Sequence, residues 1–325
     1  MNVLAPLSDF SIELAPEMAE LSARVLAEEG PQPDPTMLPP EEGRRAAAIG
    51  NRRWNVSMPG MERVGSACVP ADEALGSSDV RLLVLVPPNA REGAILFVHG
   101  GGFAFCSPET HERCARVLAV ETGLPVILPD YRLAPEHPFP AGLLDVVASW
   151  RAAFEVAADL GLREGPLILA GDSAGAGLCV SAMLHQQGGL RADAALLFYG
   201  VYDADFDTPS YRTFADGPGL TRAKMRRYWD FYVADAPARR NPLVAPLLAD
   251  DAALAALPPL HLMAAGIDPL LSDTLNFEAR LAEIGRTERT SVVPGVVHGF
   301  LQMSNELPQA REALRQAAGF VKSRL

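Results

Sequence analysis

The residues with the clearest chemistry are Gly171-Asp172-Ser173-Ala174-Gly175. They follow the apolar run 167–170 and precede a helical stretch that begins at Ala174. Strand, sharp turn, helix is the setting in which the serine of G-x-S-x-G is strained and lifted clear of a sheet as a nucleophile. A serine hydroxyl attacks poorly at neutral pH, so it needs a general base, and the base needs an orienting carboxylate. In folds with this turn the chain order is serine, acid, histidine. Of the histidines, only His185, His261 and His298 follow Ser173. His185 lies on the helix behind the turn, and His261 reads as the start of a strand. His298 sits in a glycine-bounded loop after the last apolar run, and sites of this kind form at the carboxyl ends of parallel strands. The acid is expected at Asp268, directly after the run 261–267. Asp273 reads as a helix N-cap, and the aspartates at 203, 205, 207 and 216 fall in an insertion.

Acyl transfer places negative charge on a carbonyl oxygen, and N–H groups must already point there. His99-Gly100-Gly101-Gly102-Phe103 follows another apolar run. Three consecutive glycines cost backbone entropy, and a loop whose N–H groups converge on an oxyanion gives them a purpose. The donors are assigned to the N–H groups of Gly101, Gly102 and Ala174. Competing motifs fail. The glycines at 171–177 lack the Lys-Ser/Thr of a P-loop. Gly175-x-Gly177 is followed by Val180 where a dinucleotide fingerprint requires glycine or alanine. His111-Glu112 lacks the second histidine of a zinc protease.

Positioning such a set requires strands that end where these residues begin. Apolar runs at 81–86, 94–98, 125–128, 167–170, 194–198, 261–265 and 289–293 alternate with amphipathic stretches near 109–121, 141–160, 174–187, 273–284 and 306–323. This alternation predicts an α/β fold with a mostly parallel central sheet flanked by helices. The first two runs are too close for a helical crossover, so the sheet is expected to begin antiparallel. Residues 203–250 interrupt the pattern with aromatic residues and no clear strand, as a lid or pocket wall would. Phe206, Phe214 and Trp229 are the candidates for lining the substrate pocket. Upstream, residues 10–29 read as a helix, 31–40 are broken by prolines, and 41–58 read as a second short helical stretch. This front segment reads as an appendage to the core.

The 325 residues are 49% hydrophobic and 21% charged, which excludes wholesale disorder. A formal charge of −12 argues against a nucleic-acid partner. The cysteines at 68, 106, 114 and 179 show no C-x-x-C spacing, so no metal or redox site is expected. They read as the reduced thiols of a cytoplasmic protein. The N-terminus has neither the basic nor the apolar region of a signal peptide, and no stretch is long enough for a membrane span. A soluble protein without membrane association is expected.

Together the motifs resemble the hormone-sensitive-lipase-like carboxylesterases, bacterial family IV of the α/β-hydrolase superfamily. The resemblance rests on HGGGF at 99–103, DYRLAPEHPFPA at 130–141, GDSAG at 171–175 and HGF at 298–300, with NPLVAPLLAD at 241–250 and GIDPLL at 266–271 beside them. It spans essentially residues 60–325. It implies an α/β-hydrolase fold with a helical cap, made of an N-terminal part (1–55) and an insertion (203–238), over a core of 56–202 and 239–325. It also implies Ser173, Asp268 and His298 as a catalytic triad, with Gly101, Gly102 and Ala174 as the oxyanion hole. The implied activity is a serine carboxylesterase for short- to medium-chain esters that needs no cofactor and no metal, with small-molecule esters as its partners. A homodimer through the edge of the last strand is compatible with the resemblance. Asp130 and Arg132 are expected to pin their loop, and Tyr131 to pack behind it. In one departure from the family pattern, Leu271 and Ser272 separate the acid and its proline from Asp273, where charged residues are usual. The alternatives are an amide, lactone or carbamate hydrolase using the same triad, or a non-catalytic small-molecule binder on this fold.

Overall fold

A computed structural model describes residues 12–325. Its sheet contains β1 (Arg63–Val69), β2 (Val80–Val86), β3 (Ala94–Val98), β4 (Val126–Pro129), β5 (Leu167–Asp172), β6 (Ala194–Phe198), β7 (Leu260–Ile267) and β8 (Thr290–Val297). The strand order is β1-β2-β4-β3-β5-β6-β7-β8. β2 is antiparallel to both β1 and β4, and every other pairing is parallel. The expected sheet is therefore present, antiparallel start included. β4 lies between β2 and β3, however, so the two early runs do not pair. β1 was not anticipated. It is an edge strand with mostly exposed or half-buried residues, so no apolar run marks it.

The interior strands alternate between two cores, as the two-residue period of a strand requires. Leu96, Val98 and Leu169 face one core with Leu143, Val147, Leu178 and Phe277. Ile95, Phe97 and Ile168 face the other with Leu118, Leu314 and Ala317. The first set of partners comes from α4 (Ala141–Val156), α5 (Ala174–His185) and α9 (Leu271–Glu283), and the second from α3 (Glu112–Thr122) and α10 (Pro308–Lys322). Burial on both faces is why these strands read as continuous apolar runs.

The front segment forms α1 (Pro16–Glu29) and α2 (Pro40–Asn51), followed by a short turn of 3-10 helix over Arg52–Asn55. α1 starts later than expected because Pro16 takes the first helical position, where its missing N–H costs nothing; the earliest residues of the expected helix lie outside the described part. This segment is tied firmly to the core. Arg53 donates to Glu306 at 2.7 and 3.0 Å and to Glu28 at 2.6 Å. Arg44 donates to the carbonyls of Ala104 and Ala134, each at 2.9 Å. Residues 203–250 hold α6 (Pro209–Thr213), α7 (Arg222–Tyr232) and no strand, and α8 (Asp251–Ala255) follows. Arg227 on α7 reaches Asp34 at 2.6 Å and so joins the insertion to the front segment.

The loop after β4 is pinned as expected. Arg132 makes a two-pronged ion pair with the fully buried Asp145, both contacts at 2.8 Å. Asp130 accepts from Arg81 at 2.9 and 3.1 Å. The Tyr131 hydroxyl donates to the His99 carbonyl at 2.8 Å, and its ring stacks on that of His99 at 4.4 Å. Among the described residues no helix is long and apolar enough to cross a membrane.

Candidate active site

Ser173 occupies the turn between β5 and α5 with φ 54° and ψ −122°. A non-glycine residue rarely adopts such a positive φ, at a cost of about 1–3 kcal/mol. The surroundings enforce it. Its N–H donates to Phe198 O at 2.9 Å, and its carbonyl accepts from Ala176 and Val201, each at 3.1 Å. Both flanking glycines are sterically required. A Cβ at Gly171 would lie 2.5 Å from the Gly175 carbonyl carbon, and one at Gly175 would overlap Val98 O.

Asp268 and His298 come from the carboxyl ends of β7 and β8. A register shift between these strands pairs Ile267 with Val297, which sets residues 268 and 298 side by side. His298 Nδ1 lies 2.7 Å from Asp268 Oδ2, and His298 Nε2 lies 2.9 Å from Ser173 Oγ. Asp268 is fully buried, and its second oxygen accepts the Leu270 N–H at 2.9 Å. The edge of the His298 ring meets the Tyr199 ring at 4.9 Å between centroids.

The glycine loop approaches Ser173 from β3. Gly101 and Gly102 have φ of 113° and 60°, and added Cβ atoms would overlap Phe105 O and the Tyr228 ring. Among the described residues, no acceptor takes the N–H groups of Gly101, Gly102 or Ala174. Gly101 and Gly102 line the same cavity as Ser173 and His298, and Ala174 directly follows the serine. His99, at the base of the loop, is buried, and its pKa is pushed down to about 3, so it stays neutral.

A cavity of about 250 Å³ opens over Ser173 and His298. Asn51 and Trp54 from the front segment form part of its wall, with Leu220, Met225 and Tyr228 from the insertion. A larger groove of about 330 Å³ beside Trp150 and Leu257 contains no nucleophile–base pair, so chemistry rather than volume marks the site. A family model described as the alpha/beta hydrolase fold matches residues 95–302. The chain belongs to this α/β-hydrolase family.

Two similar proteins are the carboxylesterase NlhH of Mycobacterium tuberculosis and an ethyl acetate hydrolase of Pseudomonas putida. The first is 34% identical over 77% of this chain and 80% of its own length. The second is 31% identical over 70% of this chain and 72% of its own. Among solved structures, a thermostable esterase from Pseudomonas putida superimposes with a TM-score of 0.87 at 28% identity, covering 97% of this chain and 98% of that one. The resemblance read from the motifs is therefore borne out at the level of family and fold.

The hydrolase's cavity wall differs from the expected one. Phe206, Phe214 and Trp229 do not line it. Trp229 is fully buried against Phe103, with ring centroids 5.9 Å apart. Phe214 is buried in the core that holds Tyr199 and Phe300. Phe206 packs edge-on against Tyr211, and the Arg226 guanidinium lies 5.5 Å from its ring centroid. On α7, Met225, Tyr228, Trp229 and Tyr232 share one helix face, being three or four residues apart; Met225 and Tyr228 reach the cavity while Trp229 and Tyr232 pack on Phe103. Aromatic content marked the insertion but not which residues of the inward helix face end over the cavity and which against the core.

Asp273 is not an N-cap, because α9 already begins at Leu271. Its carboxylate instead reaches across to the N–H groups of Tyr202 and Asp203, at 3.1 and 3.3 Å. Burial holds its pKa well above the ordinary carboxylate range. Cys106, His111, Asp172 and Gln302 also contribute to the cavity wall and were not singled out from the sequence as site residues. In the sequence His111 reads only as half of a zinc motif, and Asp172 only as the variable position of G-x-S-x-G.

Proposed function

We propose that this protein is a serine carboxylesterase acting on short- to medium-chain esters. His298 Nε2 takes the Ser173 proton as Oγ attacks the ester carbonyl, and Asp268 steadies the imidazolium that forms. The N–H groups of Gly101, Gly102 and Ala174 hold the oxyanion. As the tetrahedral intermediate collapses, His298 returns the proton to the leaving alcohol. Water, deprotonated by the same histidine, then releases the acid from the acyl-serine. The observation that carries this reading is the unbroken relay Asp268–His298–Ser173, at 2.7 and 2.9 Å, beside three unpartnered N–H groups.

The cavity supports a short acyl chain, since about 250 Å³ is below the roughly 300–1,000 Å³ common for drug-sized ligands. The Pseudomonas putida relative named for ethyl acetate points the same way. The front segment to residue 55 and the insertion at 203–238 act as one cap, because both supply wall residues and Arg227 bonds one to the other. A homodimer through β8 is part of the same proposal, since β8 is the terminal strand of the sheet.

Hydrolysis of p-nitrophenyl esters from acetate to palmitate, by wild type and Ser173→Ala, tests the reading. Turnover of the short esters that vanishes in the variant is expected. Turnover that survives in the variant, or a folded wild type inert across the series, would overturn it.

A further inference from the structure

A second buried histidine–carboxylate pair lies against the proposed nucleophile. Asp172 directly precedes Ser173 and is 4% exposed; His111, just ahead of α3, is 3% exposed. His111 Nε2 lies 3.2 Å from Asp172 Oδ1, and its Nδ1 lies 2.9 Å from the Thr110 hydroxyl. The same Oδ1 accepts the Gly100 N–H at 2.8 Å. No side chain fits at Gly100, where a Cβ would lie 2.8 Å from both the carbonyl oxygen and Oδ2 of Asp172. The three glycines therefore divide the work. Gly100 is held by a carboxylate, and the next two leave their N–H groups unpaired. On the other side, Tyr199 Oη lies 3.5 Å from Oδ2, at the outer limit of a hydrogen bond, and its ring meets His298.

Burying a carboxylate is costly unless it is paired and hydrogen-bonded. Burial alone would raise the Asp172 pKa, but His111, the Gly100 N–H and the nearby His298 together hold it below the ordinary range. An apolar residue would fill the space at lower cost. What it could not do is accept the Gly100 N–H and so fix the direction of the following peptides.

We propose that Asp172 and His111 are positioning residues for ester hydrolysis. His111 fixes the carboxylate, and the carboxylate fixes Gly100, so that the N–H groups of Gly101 and Gly102 point at the oxyanion before it forms. This role rests on the reading of Ser173 as the nucleophile. Oxyanion donors act only once charge develops, so disturbing them lowers kcat and leaves KM nearly unchanged.

The test compares wild type with His111→Phe, which keeps an aromatic ring and removes the donor, and with His111→Gln, which restores an N–H. Asp172→Leu is a third variant, close in shape, that removes the acceptor of the Gly100 N–H. The readouts are kcat and KM on p-nitrophenyl acetate, and inhibition by a trifluoromethyl ketone, whose serine adduct carries the oxyanion. In His111→Phe, kcat should fall roughly 10- to 100-fold, short of the ~10²–10³ lost when an oxyanion donor is removed outright. The ketone should weaken by the same factor with KM little changed, and His111→Gln should recover most of the loss. If His111→Phe does not fold, the same split between kcat and KM in Asp172→Leu decides the matter. The role is refuted if wild type is active and the folded variant keeps kcat within about threefold, or loses kcat without loss of ketone affinity. An inert wild type would instead bring down the esterase reading, and this proposal with it.

Discussion

Asp268→Asn probes the proposed relay where it is most sensitive. The two oxygens of Asp268 serve different partners, Oδ1 the Leu270 N–H at 2.9 Å and Oδ2 the His298 Nδ1 at 2.7 Å. Asparagine has the same shape but offers one acceptor and one donor group. The Leu270 N–H can only donate, so the amide oxygen turns toward it and the NH₂ faces His298. Nδ1 must then accept, which moves the ring proton to Nε2, the atom 2.9 Å from Ser173 Oγ. In that tautomer the histidine cannot take the serine proton. The reversed amide suits His298 but sets donor against donor at Leu270 in a fully buried site, at about 1–3 kcal/mol, or roughly one to two decades. Even that minority has lost the ionic partner of the imidazolium, worth about another decade or more. The expected fall in kcat is therefore about 10³–10⁴, in line with the ~10⁴ typical of a triad acid changed to its amide. Steady-state hydrolysis of p-nitrophenyl acetate, with near-ultraviolet circular dichroism as the check on folding, measures it. A folded variant within about tenfold of wild type would refute the reasoning. It would move the search for the acid to Asp172 or Asp273.

Acid should destabilise the fold through its buried histidines. Burial, and then His111, push the His99 pKa down to about 3; burial, and then Arg324, push His261 down to about 4. The unfolded chain takes up these protons near pH 6.5 while the folded chain does not, so their stabilising effect is complete above that pH and drains away as pH falls toward 4. For the fully buried His99 the loss at pH 5 is up to about 2 kcal/mol. Urea midpoints at pH 7 and pH 5 should differ accordingly and differ less in His99→Asn; an undiminished difference would contradict this. Cys106→Gly should shift acyl preference toward longer esters without loss of thermal stability. Cys106 holds φ at 69° and forms part of the cavity wall, so glycine relieves about 1 kcal/mol of strain and removes the thiol from that wall. An unchanged chain-length optimum would sink the idea.

Some of this protein was legible residue by residue. The interior strands are buried on both faces, so each appears as an apolar run, and all seven anticipated runs are strands. β1 escaped because an edge strand carrying Gly65, Ser66 and Cys68 has no such run. Ser173, Asp268 and His298 each stand at the end of a strand, which is local information that chain order and turn chemistry reveal. The glycine loop announces itself in the same way, because three successive glycines need a reason.

What tertiary structure alone decided is distance and direction. That Asp268 and His298 meet depends on Ile267 pairing with Val297 across a register shift. The cavity wall depends on how α7 lies across the core, which sets which residues of its inward face end over the cavity and which against Phe103. Asp172 and His111 meet across 61 positions of chain, and Gly100 meets Asp172 across 72. Neither residue type nor spacing encodes those meetings. Strands and turns come from interactions between neighbours in the chain, whereas the partner of a buried carboxylate is chosen by how whole layers pack.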